Sequence, residues 1–470
     1  LRLSSFLTAP TLLCTGCSCR LWMDQMLACM DLWKGLCEDL LGTTLLMMHQ
    51  IAWAESMKSE GAAFYRRLIK AAFHCVSFTH SSSLRQQGLR QLPEFVDATA
   101  TTQSQVQQAL KHHLCVSGHS AVACENLVVI IGGWRKRRPE PDVHLYVVDI
   151  TAAGGPCLKQ PVLTAKSARP ERRLRHATCV IQPNFIPPSP FGQKCILMLG
   201  GCHDRTESPL PGLHILNVLS FMTSDGSEAC WFEVAASGTA PRAIWHHACG
   251  SFAQGKRVVV FGGDFPESDA EFDQIRDRFA ASIVYVLDVD GQTWERTRTS
   301  GMRPSWRSLH TGVVHTSMKD STERLVVFGG CAEHTEIFSS GNVADMCGYV
   351  LDLQTWTWLR GPQGSRFHVL PSGRMRAATE RIGRFLLVYG GHGDEAEDAS
   401  QDVSVMEKLL RLDLLTLTWS YARVSVQPFD YPNIATATLA GGVIFGGVQM
   451  RNAGVRPVPK FDFLHLDPCC

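Results

Sequence analysis

Histidine, cysteine and arginine are the residues of this chain whose types and spacing could do chemistry. A His recurs at one place in a repeated unit: His119, His176, His246 or His247, and His310. Imidazoles could ligate a metal or move protons. Set on the opening strand of a repeat, they are expected to be structural, satisfied by main chain at the edge of the unit. No Ser/His/Asp or metal cluster stands apart from that scaffold. The chain has 18 Cys, irregularly spaced. Cys14-x-x-Cys17 and Cys17-x-Cys19 lack a second pair at zinc spacing, so no metal site is expected. Cys124, Cys179 and Cys195 lie inside apolar strand patterns and read as buried small hydrophobes. The chain is neither small nor Cys-dense enough for a disulfide framework, which points to a reducing compartment, cytoplasmic and/or nuclear. Arginine and tryptophan gather just ahead of the opening strands. Arg175, Arg242, Trp245, Arg303, Trp306, Arg307, Arg374 and Arg376 are therefore the candidate protein-binding residues, because Arg and Trp anchor interface hot spots. Packing at the edge of the unit is the competing reading. The acidic stretches 264–281 and 391–405 are alternatives that would suit a basic partner.

The elements that position these side chains are marked by paired glycines: Gly132-Gly133, Gly200-Gly201, Gly262-Gly263, Gly329-Gly330, Gly390-Gly391 and Gly446-Gly447. Each closes a short apolar run, such as Val258-Val-Val-Phe261. A second strand ending in Asp follows (Asp149, Asp288, Asp352, Asp413, Asp467), with Asn217 in that place in the second unit. Then comes a strand with Trp231, Trp294, Trp356 and Trp358, or Trp419. Glycine supplies positive φ where strands converge, the Asp can accept hydrogen bonds from turn amides, and the Trp fills space between units. A recurrence of four short strands per unit is the mark of a propeller.

The order His, apolar run, Gly-Gly, Tyr/Leu-x-x-Asp, Trp resembles the kelch repeat over roughly residues 105–470. The fold expected is mainly β: a six-bladed kelch β-propeller at 105–470, preceded by a small all-α domain at 1–42 and a helical and polar linker at 43–104. The last unit ends at Asp467 without a Trp strand of its own. The segment around Val106 to Leu114 is the expected donor of the closing outer strand, since an open sheet edge would otherwise remain. The first unit also lacks its Trp, and residues 157–163 take its place.

The start of the chain resembles an F-box: Leu12-Leu13-x-x-Gly16-Cys17, Cys19-Arg20-Leu21-Trp22, then Leu32-Trp33-Lys34-Gly35-Leu36-Cys37. The usual opening Leu-Pro is missing, and the first residue is Leu, as in a fragment. An F-box ahead of a kelch propeller resembles the substrate receptors of cullin-RING ubiquitin ligases. The resemblance implies a Skp adaptor, and through it a cullin, bound by Leu3, Phe6, Leu7, Leu12, Leu13, Trp22, Leu32 and Trp33. The propeller would hold a protein target for ubiquitination and proteasomal degradation, and the chain would do no bond chemistry. The alternative is a kelch scaffold with no ligase link. Repeats from Trp231 onward are also similar to the Adagio/Zeitlupe group, but no flavin motif is seen, so no cofactor is expected. Kelch-type oxidases hold copper by Tyr and His; four of the seven Tyr here sit at strand positions of the repeat, and an enzyme is not expected. The net charge of +1 gives no electrostatic argument for nucleic acid or membrane, and no apolar run reaches the ~18 residues of a membrane helix.

Overall fold

The computed structural model describes residues 116–134, 143–152, 157–203, 213–241, 244–264, 283–317, 320–331, 348–361, 373–391, 409–421 and 438–451. Shorter described pieces lie at 34, 62–63, 65, 77–79, 210, 364–365, 434–435, 454–457 and 461–465. The proposed adaptor-binding residues Leu3 to Trp33, and with them the F-box reading, lie outside these residues.

The fold is a mainly-β propeller. Strand β1 is Ser77–Thr79. The first sheet is β2 (Ser120–Cys124), β3 (Leu127–Ile131), β4 (Leu145–Asp149) and β5 (Cys157–Lys159). After β6 (Val162–Leu163), the second sheet is β7 (Ala177–Ile181), β8 (Cys195–Leu199), β9 (Ile215–Phe221) and β10 (Glu228–Ala235). After β11 (Ser237–Gly238), the third is β12 (Ala248–Phe252), β13 (Arg257–Phe261), β14 (Ile283–Asp288) and β15 (Thr293–Arg298). After β16 (Ser300–Gly301), the fourth is β17 (Thr311–Thr316), β18 (Glu323–Phe328), β19 (Tyr349–Asp352) and β20 (Thr357–Arg360). After β21 (Gly364–Ser365), the fifth is β22 (Ala378–Ile382), β23 (Phe385–Tyr389), β24 (Leu410–Asp413) and β25 (Thr418–Tyr421). The chain then forms β26 (Ile434–Ala435), β27 (Thr438–Ala440), β28 (Val443–Phe445), β29 (Val448–Arg451), β30 (Gly454–Pro457) and β31 (Phe461–His465).

Within each of the five sheets the strands follow in sequence order, antiparallel. The short strands β6, β11, β16 and β21 each pair in parallel with the outermost strand of the next sheet. The linker from one sheet to the next thus covers an edge that would otherwise be free to pair with another chain. β26, β29 and β30 form a small separate sheet.

One further sheet has the order β1-β31-β28-β27. The outer position that the sequence assigns to 106–114 is occupied by Ser77–Thr79, antiparallel to β31. Segment 106–114 itself lies outside the described residues. The linker expected at 43–104 therefore supplies a strand, and Ser77-Phe-Thr79 is the short β-rich piece that does it.

The core is a series of apolar layers between neighbouring sheets. Trp231, Trp294, Trp358 and Trp419 are almost wholly buried in them. Trp294 Nε1 donates to Leu213 O (2.9 Å), and Trp358 Nε1 to Thr299 Oγ1 (3.1 Å). Trp356 is not the packing Trp of its unit; it sits at φ 55° in the turn, edge-on to Phe252. The turn-capping Asp residues behave as the pattern requires. Asp352 Oδ1 accepts from the Gln354 and Thr355 amides (2.9 and 2.8 Å), and Asp413 Oδ1 from Leu415 (3.0 Å). The second unit differs. Asn217 is mid-strand opposite Glu233, because β9 runs on to Phe221, and Asp225 Oδ1 caps that turn through the Ser227 amide (3.1 Å).

Candidate interaction face

Strand polarity puts the glycine pairs and the segments before the inner strands on one face, and the Asp turns on the other. The connections that leave the glycine pairs are 134–144, 202–214, 264–282, 331–348 and 392–409, most of whose residues lie outside the described ones. The Asp turns opposite span only 150–156, 222–227, 289–292, 353–356 and 414–417. Of the two acidic stretches only Asp264 and Gly391 are described; the rest of both lies outside the described residues.

Five of the six glycine pairs are seen as joints between sheets. The second glycine donates its N–H across the seam: Gly133 to Arg173 O, Gly201 to Ile244 O, Gly263 to Arg307 O, Gly330 to Arg374 O and Gly447 to Val116 O, all at 2.8–2.9 Å. In four of the pairs the first glycine (Gly132, Gly200, Gly262 or Gly446) lies under the neighbouring sheet's histidine. A Cβ on Gly200 would stand 2.3 Å from Ile244 O and 2.8 Å from His247 Cε1, and one on Gly446 2.6 Å from His119 Cε1. Only glycine fits such an approach at positive φ.

The repeated histidines are structural, with both main-chain partners (Ile131 for His176, Arg307 for His310) and side-chain ones. His176 Nε2 bonds Ser120 Oγ (2.8 Å) and His119 Nε2 bonds Thr438 Oγ1 (2.9 Å), each a hydroxyl on the preceding inner strand. In the third unit the seam histidine is His247, opposite Ala177, and neither of its ring nitrogens has a hydrogen-bond partner. Burial pushes His247 down to about 3, with the neighbouring His246 adding to it.

Alongside these joints runs a line of backbone bonds through the five sheets. The residue before each seam histidine, or before Ala377 in the fifth unit, donates its N–H to its counterpart one sheet back: Arg175 to Gly118 O (2.7 Å), His246 to Arg175 O (3.0 Å), Leu309 to His246 O (3.1 Å) and Arg376 to Leu309 O (3.0 Å). All five residues are left-handed, with φ of 67° (Gly118), 62° (Arg175), 54° (His246), 58° (Leu309) and 56° (Arg376). This belt was not anticipated from the sequence; the position just before each motif residue was the signal. It gathers Arg175 and Arg376 about the axis, where both act on His246 electrostatically. His246 is held at about 4, chiefly by burial. As a neutral imidazole it donates Nδ1–H to Asp264 Oδ2 (2.7 Å).

The eight predicted binding residues divide. Arg307 and Arg374 are buried rivets: Arg307 Nη1 donates to Gly329 O (3.1 Å) and Arg374 Nη1 to Gly390 O (3.0 Å). Arg173 does the same to Gly200 O (3.2 Å). The guanidinium fork saturates a carbonyl that the glycine turn leaves inside, so these residues are not a binding surface. Arg175, Arg376, Trp245 and Trp306 are half-buried on the face, and Arg303 is exposed. Trp306 Nε1 donates to Gly263 O (2.8 Å). Arg242 lies outside the described residues. Among the described residues no group of three or more His, Cys, Asp or Glu could hold a metal, and no helix is long and apolar enough to cross a membrane.

Comparison with known proteins agrees with this geometry. The family model "KLHDC2/KLHL20/DRC7 Kelch-repeats domain" matches residues 118–314 and 273–465. No F-box was detected. Among curated proteins, the acyl-CoA-binding domain-containing protein 4 of Arabidopsis thaliana is 34% identical over 167 residues, 35% of this chain and 20% of that protein. The host cell factor of Drosophila melanogaster is 25% identical over 199 residues, covering 40% and 12%. The Rab9 effector protein with kelch motifs of Gallus gallus is 26% identical over 193 residues, covering 40% and 43%. The chain thus spans less than half the length of these relatives.

Proposed function

The chain belongs to the KLHDC2/KLHL20/DRC7 kelch-repeat domain family, and from that premise we propose that its propeller is a non-catalytic scaffold that captures a protein partner on the glycine-pair face. The observation that carries this is the asymmetry of the two faces. One is closed by short Asp-capped turns. The other is where the long connections begin, and it carries the axial Arg175 and Arg376 and the half-buried Trp245 and Trp306. Rigid scaffold with variable loops on one side is the usual arrangement of a binding surface. The relatives named as a host cell factor and a Rab9 effector are consistent with an interaction role.

A closed ring of six blades is part of this reading, with β27, β28, β31 and β1 as the sixth. Its support is the seam between last and first sheets: Gly447 N–H to Val116 O (2.8 Å), His119 to Thr438, and His119 edge-on to Phe445 at 5.4 Å. We place the protein in the cytoplasm and/or nucleus. Cross-linking mass spectrometry of the full chain with a partner it captures is the test. Cross-links confined to the glycine-pair face support the proposal; cross-links centred on the Asp turns overturn it.

A second reading makes the same scaffold the target-binding part of a ubiquitin-ligase receptor. It is favoured by Cys19-Arg20-Leu21-Trp22 followed by Leu32-Trp33-Lys34-Gly35-Leu36-Cys37, whose apolar residues would meet a Skp adaptor. Purified Skp adaptor retained by the parent chain and lost with Leu12→Asp/Leu13→Asp would support it. No retention by the parent chain would leave the plain scaffold.

A further inference from the structure

The innermost strands β7 and β12 run side by side in one direction, each from its own sheet. Backbone bonds pin them at both ends: His246 N–H to Arg175 O, and Gln182 N–H to Gly255 O, each at 3.0 Å. Between the pins, Cys179 stands four residues beyond Arg175 and Cys249 three beyond His246. A one-residue offset is about 3.3 Å along a strand, which allows one side chain from each strand to meet across the seam. They do meet: Cys179 lies in the apolar layer between the second and third sheets, and Cys249 packs against the same layer, close enough for the two thiols to interact. Both are free cysteines; Cys179 is buried and Cys249 only half-buried. The corresponding positions at the neighbouring seams are Val122 with Thr178, Gly250 with Gly312, and Val313 with Thr379. Among these seams the thiol pair occurs once.

We propose that Cys179 and Cys249 are a modification site for hydroperoxides, closing reversibly to a disulfide that ties the second sheet to the third. Cys249, the more open sulfur, attacks one peroxide oxygen as its thiolate. The O–O bond breaks, an alcohol (water, from hydrogen peroxide) leaves, and Cys249 becomes a sulfenic acid. The Cys179 thiol attacks that sulfur, loses its proton and expels water. Two thiols and one hydroperoxide give one disulfide, one alcohol and one water. The two electrons lost by sulfur reduce the O–O bond. The interaction with Cys249 and burial hold the Cys179 thiol well above its ordinary pKa. A thiol so held is a poor first nucleophile; in the second step it reacts because the Cys249 sulfur is already beside it, losing its proton as it attacks.

The test treats the full chain with hydrogen peroxide, blocks remaining thiols, and maps peptides without reduction. A peptide joining Cys179 to Cys249, lost on adding dithiothreitol, is the expected product. The oxidised chain should melt several degrees higher, because the bridge closes a long loop of the unfolded chain. Cys179→Ser should stop at a Cys249 sulfenic acid that dimedone traps, and Cys249→Ser should leave Cys179 reduced. The proposal is overturned if both cysteines stay alkylatable while other thiols oxidise. It is equally overturned if native Cys249 proceeds to sulfinic acid with Cys179 still free.

Discussion

Replacing Ala177 by Ser should stabilise the propeller, and the size of the effect follows from the seam. Ser120, Ala177 and Thr438 hold the same register: they pair with Ile131, Leu199 and Phe445, the residues just before a glycine pair. Ser120 and Thr438 each give a hydroxyl to the histidine of the next sheet, at 2.8 and 2.9 Å. Ala177 gives His247 nothing, and His247 is buried with both ring nitrogens unpartnered. A serine at 177 adds one bond, worth about 1 kcal/mol net, and relieves a buried polar group whose isolation costs ~1–3 kcal/mol. Some of this is lost to ordering the hydroxyl, so the expected gain is about 1–2 kcal/mol. Spread over a domain of this size, that raises Tm by about 2 °C. Ser120→Ala makes the opposite change at His176 and should cost a similar ~1–2 kcal/mol. Chemical denaturation of parent, Ala177→Ser and Ser120→Ala at neutral pH is the assay. If Ser120→Ala were neutral and Ala177→Ser destabilising, the histidine–hydroxyl seam would not be a stabilising element and the reasoning would fail.

Acid should unfold the propeller early. His246, His247, His310 and His315 are held by burial at about 4, 3, 3 and 4, against 6.5 when exposed. Folded, they resist protonation, so below pH 6.5 the unfolded chain binds more protons and stability falls as pH drops towards 4. Between pH 7.5 and 5 each contributes a loss of about 2 kcal/mol, visible as a steep drop in denaturation midpoint; a flat profile over that range would contradict the buried-histidine account. Gly200→Ala and Gly192→Ala place the same methyl at nearly the same φ (62° and 68°), but only Gly200 faces a backbone oxygen at 2.3 Å, while Gly192 faces nothing within 4 Å. Thermal melts should show ~1 kcal/mol lost at Gly192 from the left-handed backbone, and a far larger loss at Gly200. Arg374→Ala removes a buried side-chain donor to Gly390 O and should cost about 2–3 kcal/mol, with partner affinity of the folded protein unchanged by titration calorimetry.

The propeller was legible because its unit repeats. Glycine pairs, capping Asp and buried Trp each answer a local demand that recurs at every sheet, so their order alone specifies the sheet. What the sequence hid was relational. Arg307 and Arg175 are both arginines ahead of an opening strand. One is a buried rivet to Gly329 O and the other a half-buried member of the axial belt. Which it becomes depends on a two-residue difference in position relative to the seam histidine, visible only with the neighbouring sheet in place. The donor of the closing strand was misread for a related reason. Ser77-Phe-Thr79 is too short to stand out, and its strand conformation comes from the edge of β31. Tertiary pairing decided there, over local pattern.

The central claim is that partners are held on the glycine-pair face. The most direct measurement is the affinity of a captured partner for the parent chain, for Arg175→Glu/Arg376→Glu on that face, and for Lys256→Glu beside the opposite turns. The account predicts at least a tenfold loss, about 1.4 kcal/mol, for the axial pair, with Lys256→Glu unchanged. Equal binding by the axial variant, with loss on Lys256→Glu, would contradict it.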